Sequence, residues 1–184
     1  MPAGRVRFEP LDALEVLVKH RVGFVVIGGF AAQLLGSPLL TQDIDVCYAR
    51  DDENLERMAR ALRELEASLR GAPADVPFVL DAKTLRMGDR FTFDTEAGAL
   101  DILGHPAGAR GGYEELEPTA ETLDLGTLTV KVASIDDLIR MKRAAGRPKD
   151  LAAVEELGAL RDEIDERAMA ERRRRRQRRG KRGA

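Results

Sequence analysis

The sequence predicts an α/β (α+β) fold, and three observations predict it. A β-branched run, Val22 to Ile27, stops at Gly28-Gly29 and gives way to a helical segment. Two short runs, Arg90–Thr95 and Ala99–Leu103, read as strands on either side of the turn residues Glu96-Ala97-Gly98. Between and beyond the strands lie segments with apolar residues at helical spacing. Length and composition agree. A chain of 184 residues with 43% hydrophobic and 34% charged residues is enough for one soluble domain with a true core. Aromatics are only 4% and Trp is absent, so that core must be built from Leu, Val, Ile and Ala.

Taken in order, Leu11, Leu14, Leu17 and Val18 follow Pro10 at helical spacing and predict a first helix over 11–21. The strand 22–27 leads through the glycines into a short helix, Phe30–Leu35, closed by Gly36 and Pro38. Asp43–Tyr48 is a second strand. Residues 51–70 carry Leu55, Met58, Leu62, Leu65 and Leu69 on one stripe, an amphipathic helix. A loop over Gly71–Pro77 precedes the hairpin, and Gly104–Gly112 is another loop. Leu123–Val132 predicts a second hairpin turning near Gly126. Ser134 caps a helix with Asp137 as its capping-box partner, and Gly146-Arg147-Pro148 breaks that helix near Ala145. Asp150 opens a last helix with Leu151, Val154, Leu157 and Ile164 on its buried side. No internal repeat and no linker divides the body, residues 1–170.

Charge is uneven. From Glu171 to Ala184 there are nine Lys or Arg and one Glu, a balance of +8, whereas the body has 21 basic and 31 acidic residues, a balance of −10. The 171–184 segment is either an RNA contact that works through phosphate neutralisation, with no aromatics interleaved for base stacking, or a disordered, solvated extension that is helical at most where the last helix frays into it. No apolar run approaches a membrane span, no signal-peptide core follows the N-terminus, and Cys47 is the single cysteine. These features predict a cytoplasmic protein without a disulfide.

Asp43 and Asp45 are the first chemical feature. Alternate residues of a strand share a face, so both carboxylates point the same way and Ile44 and Val46 point into the core. Such a pair repels itself, a cost that a divalent cation removes, and Mg²⁺ is commonly held by one or two carboxylates plus substrate phosphates. The pair also fits a solvated strand edge or a helix cap. Gly28-Gly29 between strand and helix lets a ligand approach the backbone and meet the helix N–H groups, or is simply a tight turn. Asp101, inside the apolar run Ala99–Leu103, lies either on an exposed strand face or beside the other two. If beside them, three carboxylates suit two metals, an arrangement used for in-line phosphoryl displacement. His20 and His105 read as surface or packing residues and Cys47 as a small core residue.

Gly28-Gly29-Phe30-Ala31-Ala32, then Thr41-Gln42-Asp43-Ile44-Asp45-Val46, resembles the signature of the DNA polymerase β-like nucleotidyltransferase superfamily. It is most similar to the small prokaryotic branch of minimal nucleotidyltransferases and AbiEii-type toxins. Val132–Lys142 and Arg147–Leu151 are also similar to that branch, so the resemblance spans roughly residues 10–160. It implies a short mixed sheet flanked by helices, a central Asp-x-Asp strand, the third carboxylate on a neighbouring strand and a helical C-terminus. It also implies metal-dependent transfer of a nucleoside monophosphate from an NTP to a hydroxyl of RNA (such as tRNA) or of protein, with Mg²⁺ or Mn²⁺. By the same resemblance Asp43, Asp45 and Asp101 are catalytic metal ligands. Gly28 and Gly29 let the triphosphate lie against the backbone, Thr41 supplies a hydroxyl, and Lys142 and Lys149 are phosphate contacts. Asp150 caps the last helix or pairs with Lys142. A partner toxin or antitoxin protein is implied as well, since members of the branch act in such pairs. One position departs from the pattern: Leu39 stands where related proteins carry an Arg two residues before the Thr, which leaves Lys142, Arg147 or Lys149 to compensate. Without that Arg, a catalytically weak module that binds RNA or a partner protein is the competing expectation.

Overall fold

The computed structural model describes residues 8–72 and 78–180. Fourteen elements follow one another: α1 (Pro10–Lys19), β1 (Phe24–Ile27), α2 (Gly28–Leu34), β2 (Asp43–Tyr48), α3 (Asp52–Glu64), β3 (Ser68–Leu69), α4 (Ala82–Met87), β4 (Arg90–Thr95), β5 (Gly98–Leu103), α5 (Tyr113–Leu116), β6 (Glu121–Asp124), β7 (Thr129–Val132), α6 (Ile135–Ala145) and α7 (Pro148–Gly180). The strands form one seven-stranded mixed sheet in the order β3-β4-β5-β2-β1-β7-β6. The Asp-x-Asp strand β2 is at its centre, antiparallel to β1 and parallel to β5. Helices flank this sheet, so the fold is the predicted mixed α/β one.

Local chemistry explains most boundaries. The Asp51 side chain accepts a hydrogen bond from the Asn54 backbone N–H and caps α3. Ser134 caps α6 in the same way from Asp137, and Gly146, at φ 65°, closes it. Leu14, Leu17, Leu55, Met58, Leu62, Ile44, Val46, Leu100 and Ile102 are fully buried, a largely aliphatic core as composition required, although the largest fully buried side chains are the aromatic Tyr48 and Phe93. Asn54 is a buried polar exception. Its amide accepts from the Gly23 N–H at 2.6 Å and donates to the Gly23 and Ala49 carbonyls, tying α3 to the outer ends of β1 and β2.

Four expectations change. The helix over 51–70 stops at Glu64, because Glu66 adopts φ 51° and the Ala67 N–H bonds back to the Leu62 carbonyl. Leu69 therefore leaves the helical stripe and pairs with Phe93 on β4. Short helices α4 and α5 occupy stretches with too few residues to show a period; α5 lies just past the loop expected over 104–112. Leu151 is exposed, not buried, because α7 meets its neighbours through Asp150, Ala153 and Leu157, and Leu151 is turned away from that face. Finally, α7 continues as helix through the basic segment to Gly180 where an irregular extension was expected; its Arg, Ala and Glu residues are strong helix formers. Part of the loop expected over 71–77 lies outside the described residues, as do Lys181 and Arg182. Among the described residues, no helix is long and apolar enough to cross a membrane.

Candidate active site

Register places the three carboxylates together. In the parallel pairing of β2 with β5, Asp43 lies opposite Ala99 and Asp45 opposite Asp101. Residues directly paired share a face, so Asp43, Asp45 and Asp101 all stand on one side of adjacent strands spaced about 4.8 Å apart. Ile44 and Val46 take the other side and are fully buried. A cleft of about 450 Å³ opens over the carboxylates and reaches Gly29, Thr41, Lys142 and Lys149. A second, more apolar lobe meets it at Asp45, Arg90, Lys142 and Arg147, and is walled by Ile27, Leu103, Pro106, Leu138 and Met141.

Each carboxylate has a distinct environment. Asp43 accepts a hydrogen bond from the Thr41 hydroxyl. Asp45 has its carboxyl pushed up to about 7 by burial first, then by the charges of Asp43 and Asp101, against the pull of Lys142 and Arg90. Asp101 is 6% exposed; its Oδ2 accepts from Arg90 Nη2 at 2.9 Å, and its Oδ1 is buried with no hydrogen-bond partner among the described residues. Such an orphaned oxygen is costly unless something else binds it. The donor set thus fits a divalent cation, which takes carboxylate oxygens and relieves the mutual repulsion. Among the described residues, no three His, Cys, Asp or Glu side chains are gathered as a ready metal cage. The carboxylates are engaged with Thr41 and Arg90 instead.

The glycine turn is shaped by Asp45. Gly28 has φ +70°, and a Cβ there would lie 2.1 Å from Asp45 Oδ2. Gly28→Ala is expected to cost about 1–2 kcal/mol in backbone strain, with Asp45 displaced in addition. Gly29→Ala meets only Thr41, at 3.0 Å and without positive φ, so its loss should be smaller. Denaturant midpoints of the two variants check this order.

The basic wall comes from α6 and α7. Asp150, fully buried, accepts from Lys142 Nζ at 3.1 Å and from Arg147 Nε at 2.7 Å, which fixes both cations at the cleft. Lys149 is exposed at the cleft mouth. The remaining candidates lie elsewhere. His20 bonds Glu64, His105 bonds Asp89, and Cys47 is buried with its thiol pushed up to about 12, chiefly by burial. The sequence reading missed Arg90. Its signal was present: Thr92 pairs with Asp101 across the hairpin, and Arg90, two residues away, shares that face.

No family model and no curated protein matches this chain. Several solved structures match it in fold, two of them with TM-scores of 0.50 or more among those compared. The lincosamide antibiotic adenylyltransferase LnuA, solved with lincomycin bound, aligns with TM-score 0.57 and 15% identity, covering 83% of this chain and 96% of its own. The antibiotic-resistance factor ANT(2'')-Ia, whose solution structure reveals substrate-regulated conformation dynamics, aligns with TM-score 0.50 and 14% identity, covering 90% of this chain and 94% of its own. At these identities the likeness reaches the fold alone, a fold the chain shares with an adenylyltransferase.

Proposed function

We propose that this chain transfers a nucleoside monophosphate from an NTP to an acceptor hydroxyl. The acceptor oxygen forms a bond to the α-phosphorus, the bond from that phosphorus to the β-phosphate bridge breaks, and pyrophosphate and the acceptor's proton leave. The observation that carries this reading is the convergence of Asp43, Asp45 and Asp101 on one face, beside a glycine turn and a basic wall. Asp43, Asp45 and Asp101 would hold Mg²⁺ or Mn²⁺, one ion or the pair that three carboxylates suit. Bound there, the cation supplies charge neutralisation at the phosphate and acidifies a coordinated hydroxyl. The chain's own residues do the rest. Gly28 and Gly29 leave the backbone open for the triphosphate, and Thr41 orients Asp43. Lys142, Arg147 and Lys149 face its negative charge. Phosphoryl transfer asks a protein for little beyond such positioning and electrostatics.

The acceptor we propose is RNA. Helix α7 begins at the cleft with Lys149 and runs into the segment holding nine Lys or Arg, so one element joins the site to a polybasic end. The resemblance noted above adds a setting, a toxin–antitoxin pair. A second reading, a catalytically weak module that binds RNA or a partner protein, is favoured by Arg90 sitting on Asp101 in place of a ready metal cage.

The test is incubation with each α-labelled NTP, Mg²⁺ or Mn²⁺, and total tRNA, with a lincosamide as a small hydroxyl acceptor. Label should pass to RNA, need the metal, and vanish in Asp43→Ala/Asp45→Ala. Label on the lincosamide alone would replace the RNA acceptor. Nucleotide binding with no transfer to either would leave the second reading, and equal transfer by the double variant would refute the site.

A further inference from the structure

Arg90 is the one cation at the cleft whose only partner, among the described residues, is a carboxylate of the proposed metal set. Lys142 and Arg147 are committed to the buried Asp150, and none of their bonds need change when a ligand arrives. Arg90 is different. Its side chain is 57% exposed and holds Asp101 through a single hydrogen bond, from Nη2 to Oδ2. The second oxygen of that carboxylate is buried and, among the described residues, has no hydrogen-bond partner. An ion pair with one partner this exposed is held weakly, because water competes for the guanidinium. Arg90 starts β4 and lines both lobes of the cleft, so a rotation about its side chain reaches either lobe without moving the backbone.

Charge bookkeeping shows what happens on loading. Three carboxylates and one guanidinium leave the cleft floor with a net charge of about −2 when all are ionised, which repels a polyanion. A divalent cation on the carboxylates cancels that charge. It also satisfies the orphaned oxygen of Asp101 and competes for the oxygen that Arg90 holds. The guanidinium then loses its counter-ion inside a cleft whose other carboxylates are Asp150, already doubly paired, and Glu156, which already accepts a hydrogen bond from Ser37 Oγ.

Resting on the nucleotidyltransferase reading, we propose that Arg90 is a phosphate-binding residue parked on Asp101: it yields the carboxylate to the divalent cation and turns onto the nucleotide's phosphates. A guanidinium suits that role, since it meets phosphate oxygens with two parallel hydrogen bonds. Arg90 thereby couples the two ligands in opposite senses. It competes with the metal when nucleotide is absent and assists the metal–nucleotide complex when it is present.

The test uses the full chain and two probes. Mn²⁺ binding without nucleotide is read from the spin-resonance signal of free Mn²⁺. Binding of α,β-methylene ATP in saturating Mg²⁺ is read by calorimetry. Arg90→Ala should bind Mn²⁺ several-fold more tightly and the nucleotide about 10-fold more weakly, the loss of one charge-assisted contact. Arg90→Lys, which keeps the charge but not the fork, should fall between wild type and Arg90→Ala on both axes. Melting curves confirm that both variants fold, and Arg90→Lys carries the test if Arg90→Ala does not. Affinities that move in the same direction, or that do not move, overturn the proposal while leaving the nucleotidyltransferase reading intact. A wild-type chain that binds neither Mn²⁺ nor nucleotide overturns both.

Discussion

Asp45→Asn is expected to melt higher than the wild type at pH 8 in EDTA, while losing the ability to bind a divalent cation with nucleotide. Asp45 is held in a buried setting beside two other carboxylates, and its carboxyl is pushed from 3.8 up to about 7. At pH 8 it is ionised in both folded and unfolded chains, and the folded chain bears the penalty. One pKa unit corresponds to about 1.4 kcal/mol, so relief of this shift is on the order of 2–4 kcal/mol. For a protein of this size that is roughly 4–16 °C. The sign follows from proton linkage. Between 3.8 and about 7 the folded wild type binds a proton that the unfolded chain has lost, so the wild type gains stability as pH falls through that window. The asparagine variant has no such proton to bind. Its advantage should be full above pH 7, shrink on acidification and disappear near pH 4. An advantage that is the same at pH 8 and pH 5, or a lower melting temperature at pH 8, would contradict the account of Asp45.

Asp150→Ala should have the opposite effect. Asp150 is fully buried and bonded to Lys142 and Arg147. Burial pushes its carboxyl up, but the hydrogen bonds from Arg147 and Lys142 outweigh that and hold it below its ordinary value. Removing it leaves two cations without a counter-ion at the α6–α7 junction; because Arg147 is 55% exposed and water takes over part of its solvation, the expected cost is about 1–3 kcal/mol. A carboxyl with a lowered pKa contributes its stability above the ordinary carboxylate range and loses it only at more acid pH. The deficit of Asp150→Ala should therefore be the same at pH 7 and pH 5, measured by denaturant unfolding, whereas the gain of Asp45→Asn is not. Lys142 and Arg147 also lose the group that fixes them at the cleft, so nucleotide affinity should fall with stability. Full stability in Asp150→Ala would show that α6 and α7 pack without this triad.

The contrast between these two carboxylates marks what the sequence could disclose. The face shared by Asp43 and Asp45 follows from strand alternation alone, and the strand–glycine–helix junction at Gly28 follows from local chemistry. The capping of α6 by Ser134 was equally local. The partnership of Asp45 with Asp101 was not, because it depends on two strands meeting across 56 positions; only the resemblance to a known family supplied it. The end of α3 at Glu64 was hidden because Leu65 and Leu69 continue the helical stripe in spacing, while the left-handed Glu66 that breaks it is a residue type with no such preference. The exposure of Leu151 depends on which face of α7 meets its neighbours, a tertiary choice among nearly equivalent apolar faces. Arg90 was reachable in principle from hairpin register, but a charged residue opening a strand reads as an ordinary solvated edge until its partner is known.

The most direct test of the central claim is calorimetric titration of each NTP into the wild-type chain with Mg²⁺, repeated in EDTA and with Asp43→Asn/Asp45→Asn. The claim predicts saturable one-to-one binding of at least one NTP that requires the cation and disappears in the folded double variant. Absence of binding for all NTPs, or binding that survives EDTA and the double substitution, would contradict it.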